Sequence, residues 1–281
     1  MIVDGHQHFW DLDRVAYPWL VPAYGPIHRS FHPAELEPQL RGAGVDRTVL
    51  VQSANSFEDT DAMLAQADAH DWIGAVVGWV PLEDPRAAAA ALDDRYLGRT
   101  KYRGVRHLNH EEADPDWLVR PSVLEGIREL ESRGLVYEVV AVHPLHLGHV
   151  PTLATTFPDL RIVVDHLAKP PVGTGDLGGW ERDLRRAAAH PNVSAKVSGL
   201  STDGSWSQED VTRVIGVALD AFGPARLMFG SDWPVAILGG DYASVWGHTT
   251  RALDSLGVAG ADRDAILGGT AAATYRIGGA A

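Results

Sequence analysis

A closed cylinder of eight parallel strands ringed by helices, a single (β/α)8 or TIM barrel, is the fold this sequence predicts. Short β-rich runs recur eight times, helical patterns separate them, and the runs are apolar throughout rather than alternating. Strands interleaved with helices pair in parallel, and strands without polar alternation have both sheet faces covered. A doubly wound open sheet is the structural alternative.

The runs are IVDGHQH, TVLVQS, AVVGWV, YRGVRH, LVYEVVAVH, LRIVVDH, NVSAKVSG and RLMFGSDW. Between them lie PAELEPQLRGAG, TDAMLAQADAH, SVLEGIRELESRG, WERDLRRAAAH and QEDVTRVIGVALDAFG, rich in Ala, Leu, Glu and Arg. Several start with Pro or Ser and close with Gly, the usual punctuation of helices. Tyr242 to Leu256 supplies the eighth helix, and ADRDAILGGTAAATYRI reads as a short closing helical piece. With 281 residues and 45% hydrophobic side chains, the chain can bury one core of barrel size. Residues 1–281 are therefore expected to form one catalytic domain, with 257–281 as a C-terminal helical appendage.

Lys and Arg total 24 against 37 Asp and Glu, a formal charge of -13 that repels nucleic acid and anionic lipid. A small-molecule partner fits better, and the oligomeric state is left open. There is no cysteine, so neither disulfides nor thiolate metal ligands are available. No apolar run approaches the roughly 20 residues of a membrane span, and the N-terminus lacks the basic and apolar regions of a signal peptide. A cytoplasmic location is the expectation.

In such a barrel the reacting groups come from the C-terminal ends of different strands. His6 and His8 end the first, and their i, i+2 spacing puts both on one face. Gln52 ends the second, Trp79 the third, Arg106 and His107 the fourth, and Glu138 lies in the fifth. His166 ends the sixth, Lys196 and Ser198 the seventh, and Asp232 the eighth. So many polar groups in a packed mouth are costly without partners, which points to a functional site.

The stretches DGHQHFWDLD, YPWL, VLVQS, AVVGWV, KYRGVRH, VVDHLAKPP, NVSAKVSGL and FGPARLMFGSDWPV together resemble the amidohydrolase superfamily. Within it they are similar to the lactonase branch of L-fuconolactonases and pyrone dicarboxylate lactonases. The resemblance implies a barrel hydrolase of amidohydrolase type, acting on a small-molecule lactone, in which Asp232 activates water. His6, His8 and His166 would surround the reacting carbonyl, and cations such as Arg106 would bind substrate. Dinuclear members carry a carboxylated lysine on the fourth strand; Arg106 and His107 stand here, so a bridged two-metal centre is not expected. The family's closing segment has Asn before Ala where this chain has Thr270, a local cap.

Opening a lactone requires a base toward water, a stabiliser for the oxyanion and a proton for the leaving ring oxygen. Asp232 can serve as base and then as acid. His6, His8, His166 and Asp232 form a candidate site for one divalent ion, Zn or Mn, although histidine and Arg106 hydrogen bonds could do the work without it. Arg106, His107, Lys196 and Gln52 are expected to contact the substrate, and Trp10, Trp79 and Trp233 to offer aromatic faces to a sugar ring. An L-fucono- or L-rhamnono-type lactone is the favoured substrate. A metal-dependent decarboxylase of aromatic acids is the alternative activity.

Two further signals carry less. GTGDLG fits GxGxxG, but Pro170 and Pro171 separate it from the preceding strand, so it reads as a loop. His143, His146 and His149 imitate a metal motif yet read as a solvated loop, with His143 the one expected to reach the mouth.

Overall fold

The computed structural model describes all residues except 174–176, 201, 203 and 279–281. Strands β1 (Val3–Gln7), β2 (Arg47–Val51), β3 (Ile73–Gly78), β4 (Tyr102–His107), β5 (Val136–Val139), β6 (Arg161–Val164), β7 (Val193–Val197) and β8 (Leu227–Phe229) lie in sequence order in one parallel sheet. A parallel bridge between Gln7 and Trp233 closes the sheet on itself. The expected barrel is therefore the observed one. GTGDLG runs across 174–176, outside the described residues.

The outer layer follows from local chemistry. Helices α1 (Pro33–Ala43), α2 (Phe57–Ala69), α3 (Pro85–Ala91) and α4 (Pro121–Ser132) alternate with the first strands, and α5 (Val150–Thr156), α6 (Gly178–Ala188), α7 (Gln208–Phe222) and α8 (Tyr242–Ser255) with the rest. The side chains of Ser56, Asp84, Ser207 and Asp241 accept N-terminal backbone N–H groups of α2, α3, α7 and α8. The sequence patterns above do not include α3 and α5. α5 is seven residues long, too short for a helical period to stand out, and α3, which runs on into a wider turn over Leu92–Tyr96, is mostly alanine and shows no period.

Valines of β1, β2, β3, β5 and β6 fill the inside of the barrel with Met228. Helices α9 (Gly260–Asp264) and α10 (Thr270–Tyr275), joined by a wider turn over Ala265–Gly269, close its N-terminal end. Ala271, Tyr275 and Ile277 join the inner cluster there, and Thr270 Oγ1 donates to Pro224 O. No described helix is long and apolar enough to cross a membrane.

The fifth strand stops earlier than LVYEVVAVH suggests. After Val139 the chain folds back, Ala141 N donating to Val139 O at 2.8 Å, and Pro144 has no N–H to continue a ladder. His143 is thereby carried away from the mouth to α6, where its Nδ1 lies 3.7 Å from Asp183 Oδ2. His146 is buried rather than solvated, and His149 instead faces Asp116 at 3.0 Å.

Close backbone approach sets the spacing of the helical layer at Gly126 of α4. A Cβ there would lie 2.1 Å from the carbonyl oxygen of Leu82. Gly126→Ala is expected to destabilise the fold by about 2–3 kcal/mol in denaturant titrations, as overpacking against rigid backbone does. Gly42→Ala, in α1 with open space around its Cβ, should instead add roughly 0.5–1 kcal/mol.

Candidate active site

The site is built on the seam between β8 and β1. Asp232 N donates to His6 O at 2.8 Å and His8 N donates to Trp233 O at 2.7 Å, so the carboxylate enters between the two imidazoles. Small residues permit this approach: a Cβ on Gly5 would stand 2.9 Å from Phe229 O, and one on Gly230 2.7 Å from His6 Cβ. Beneath lies Asp4, fully buried, whose Oδ1 accepts Ser231 N (2.8 Å) and His6 N (3.1 Å) and whose Oδ2 accepts Tyr242 OH (3.1 Å). Burial pushes its carboxyl up to about 6 against these hydrogen bonds.

His6 Nε2 lies 3.0 Å from His8 Nε2, and Asp232 Oδ1 lies 3.6 Å from the first and 3.4 Å from the second. His8 Nδ1 faces Val51 O at 2.7 Å, which puts its proton on Nδ1 and leaves the Nε2 lone pair turned inward. His6 Nδ1 faces Lys196 Nζ at 3.0 Å and Asp165 Oδ1 at 3.4 Å. Arg106 spans the floor, with NH1 3.0 Å from Asp165 Oδ2 and 3.4 Å from His6 Nε2, and NH2 donating to Gln52 O.

His166 reaches the same point from an unusual backbone. His166, Leu167, Ala168 and Lys169 all have positive φ, between 49° and 59°, a single left-handed turn without glycine. Such a conformation costs roughly 1–2 kcal/mol per residue and persists only where its surroundings impose it. Here Trp180 Nε1 donates to Leu167 O (2.7 Å), His143 N to Ala168 O (3.1 Å) and Lys169 N to His166 O (2.9 Å). The turn brings the His166 ring to 4.6 Å from that of His6, and its Nδ1 to 2.9 Å from Ser198 Oγ. Asp232 also has positive φ, 57°.

These groups stand at one end of a cavity of about 470 Å³ at the C-terminal mouth of the barrel. Its wall includes His8, Arg106, His166 and Asp232, with Trp19, Tyr24 and Trp206 on the loops above. Four expected features are thus together, with His6 directly behind them.

Seven expected substrate contacts are absent from the described wall, for identifiable reasons. Strand alternation turns His107 outward while Arg106 points in; its ring stacks on Trp117 at 4.0 Å and its Nε2 faces Glu112 at 2.7 Å. Trp79 follows it, donating Nε1–H to His107 Nδ1 at 3.1 Å. Lys196 points inward one layer too deep, fully buried with Nζ 2.6 Å from Glu138 Oε2. Gln52 is buried with its amide on Arg106 O and Asn55. Trp10 and Trp233 pack in the core around Phe31, and His143 faces α6. Asp165, unassigned above, sits between Arg106, His6 and Lys196; its place before His166 in VVDH was the available signal.

Burial holds the imidazoles neutral. It lowers His6 far below the ordinary value, lowers His8, and brings His166 down to about 4. Burial pushes Asp232 upward, but the surrounding imidazoles, His166 foremost, together outweigh it and keep the carboxyl below the usual range. On acidification Asp232 therefore stays ionised while the imidazoles wait for a pH below their ordinary value.

The donor set suits a divalent ion. The separations of His6 Nε2, His8 Nε2 and Asp232 Oδ1 are those of ligands about 2.0–2.2 Å from a tetrahedral centre, and His8 is oriented by a carbonyl behind it. His166 groups instead with His6 and Asp165, so the expected four-residue set divides in two.

The fold is that of an amidohydrolase, and the chain belongs to that family, whose pattern matches residues 3–277. It is 38% identical over 283 residues to an L-fucono-1,5-lactonase of Burkholderia ambifaria, spanning 98% of this chain and 95% of that protein. It is 34% identical over 288 residues to an L-fucono-1,5-lactonase of Burkholderia multivorans, spanning 98% and 96%. A crystal structure of a Burkholderia multivorans amidohydrolase with bound zinc superposes with a TM-score of 0.91 at 33% identity, covering 99% of this chain and 100% of that one.

Gly199 shields this cluster: at φ 58°, a Cβ would lie 2.6 Å from His166 Nδ1 and 2.8 Å from Asp232 Oδ2. Gly199→Ala is expected to lower kcat/KM at least ~100-fold by displacing these groups, with circular dichroism unchanged. In a pH–rate profile, kcat/KM should stay level from pH 7 down past the ordinary imidazole value and fall below it as the buried imidazoles take up protons, His166 near 4. A loss centred near 6.5 would contradict the buried, neutral cluster.

Proposed function

We propose that this chain is a lactonase that opens a sugar-acid lactone of the L-fucono or L-rhamnono type by adding water to its carbonyl. The observation that carries this reading is a carboxylate, Asp232, kept ionised among three buried imidazoles on the wall of a sugar-sized cavity. The relatives of known name act in its support.

Asp232 takes the proton of the attacking water as the new C–O bond forms. The developing oxyanion lies toward the Arg106 guanidinium and His166, whose Nδ1 is occupied by Ser198, leaving Nε2 for the cavity. When the ring C–O bond breaks, Asp232 returns the proton to the leaving oxygen, giving the open hydroxy acid. A divalent ion bound by His6, His8 and Asp232, zinc or manganese, would supply Lewis-acid polarisation of the carbonyl. Arg106 is already neutralised by Asp165 at 3.0 Å, which suits a neutral lactone better than a dicarboxylate. Trp19, Tyr24 and Trp206 offer aromatic faces to the ring.

A pH-stat assay over a panel of aldonolactones should show acid release well above the spontaneous rate. Asp232→Asn should lower kcat by about 10³-fold while lactone binding persists. No turnover on any lactone, or carbon dioxide release from aromatic acids, would overturn the reading.

A further inference from the structure

The C-terminal helix reaches the catalytic cluster from below. Tyr275, the last residue of α10, is fully buried and enters the barrel through its N-terminal end. Its hydroxyl donates to Glu138 Oε1 at 2.5 Å. The other carboxylate oxygen, Oε2, lies 2.6 Å from Lys196 Nζ, and Lys196 Nζ lies 3.0 Å from His6 Nδ1. Lys196 Nζ also stands 5.5 Å from the centre of the Tyr275 ring. A continuous polar column thus runs from the tail to the imidazole that faces Asp232.

Nothing in the packing demands such a column. The surrounding interior is made of Val, Ala and Met, and replacing a buried ion pair by apolar side chains of similar volume is often neutral or stabilising. Removing one partner is another matter, since it leaves the next group buried and unmatched. Tyr275 thus holds the far oxygen of Glu138, and Glu138, at 2.6 Å the nearer of two carboxylates with Asp165 at 3.4 Å, holds the Lys196 ammonium under His6.

We propose that Tyr275 is a positioning residue for catalysis: through Glu138 and Lys196 it fixes the orientation of the His6 ring against His8 and Asp232. The closing helices are then part of the support of the active site as well as a plug for the barrel floor.

Tyr275→Phe deletes the hydroxyl and keeps the ring. It is expected to lower kcat about tenfold with KM within twofold, and to shift the ¹⁵N resonances of the His6 imidazole in the substrate-free protein. Glu138→Gln, which keeps an acceptor for Tyr275 and loses the charge facing Lys196, should lower kcat more, by about 100-fold. Ile277→Ala serves as the control: Ile277 packs on Gly74, where an added Cβ would lie 2.7 Å from its Cγ2. This change loosens the same tail without touching the column, so it should lower Tm and leave kcat and the His6 resonances as they are. Parental kcat and parental His6 resonances in Tyr275→Phe would overturn the proposal, as would an equal kcat loss in Ile277→Ala. If Glu138→Gln does not fold, Tyr275→Phe alone decides. The kcat arm rests on the lactonase reading; the resonances are recorded without substrate, so a chain that opens no lactone sinks that reading and leaves this one to the spectra.

Discussion

Everything at the mouth of this barrel depends on how its last strand meets its first. Two backbone hydrogen bonds, Asp232 N to His6 O and His8 N to Trp233 O, make the joint. Because they are main-chain bonds between adjacent strands, the spacing of carboxylate and imidazoles is inherited from the sheet rather than negotiated by flexible side chains. Asp4 reinforces the joint from both sides, binding Ser231 and His6 backbone at once. A carboxyl in so dry a place is costly, and its position under the seam gives a physical reason for keeping it.

The joint also explains the electrostatics. Buried as they are, the imidazoles cannot easily take up protons, while the carboxylate in their midst keeps its charge. Arg106 would leave an unbalanced cation in this pocket were Asp165 not bound to it at 3.0 Å. Beside the catalytic cluster the cavity thus presents the Asp232 anion and a compensated Arg106 cation, an arrangement fit for a substrate whose polarity lies in a carbonyl and hydroxyls.

Much of this was legible in the sequence because each strand is an apolar run that ends in polar residues, as IVDGHQH and LRIVVDH do. His6, His8, His166, Arg106 and Asp232 stand out that way, and the fold brings them together. Direction and depth were not legible. Arg106 and His107 are neighbours in one strand, and only the register decides that the first faces inward. Lys196 faces inward as well, but a linear pattern carries no measure of how far below the rim a side chain lies. Trp19, Tyr24 and Trp206 come from loops whose course is set by tertiary contacts; Trp19, for instance, is anchored by its indole to Ser53 O at 2.7 Å. The turn after His166 gave no warning either, since left-handed backbone is normally announced by glycine and HLAK contains none.

That turn sets robustness against function. A glycine at Ala168 would be at ease in the same backbone and would relieve the strain, yet it would also permit the chain to leave the conformation that delivers His166. Here the residues least comfortable for folding are those that keep the imidazole in place, so gains in thermal resistance at this loop would come at the expense of turnover.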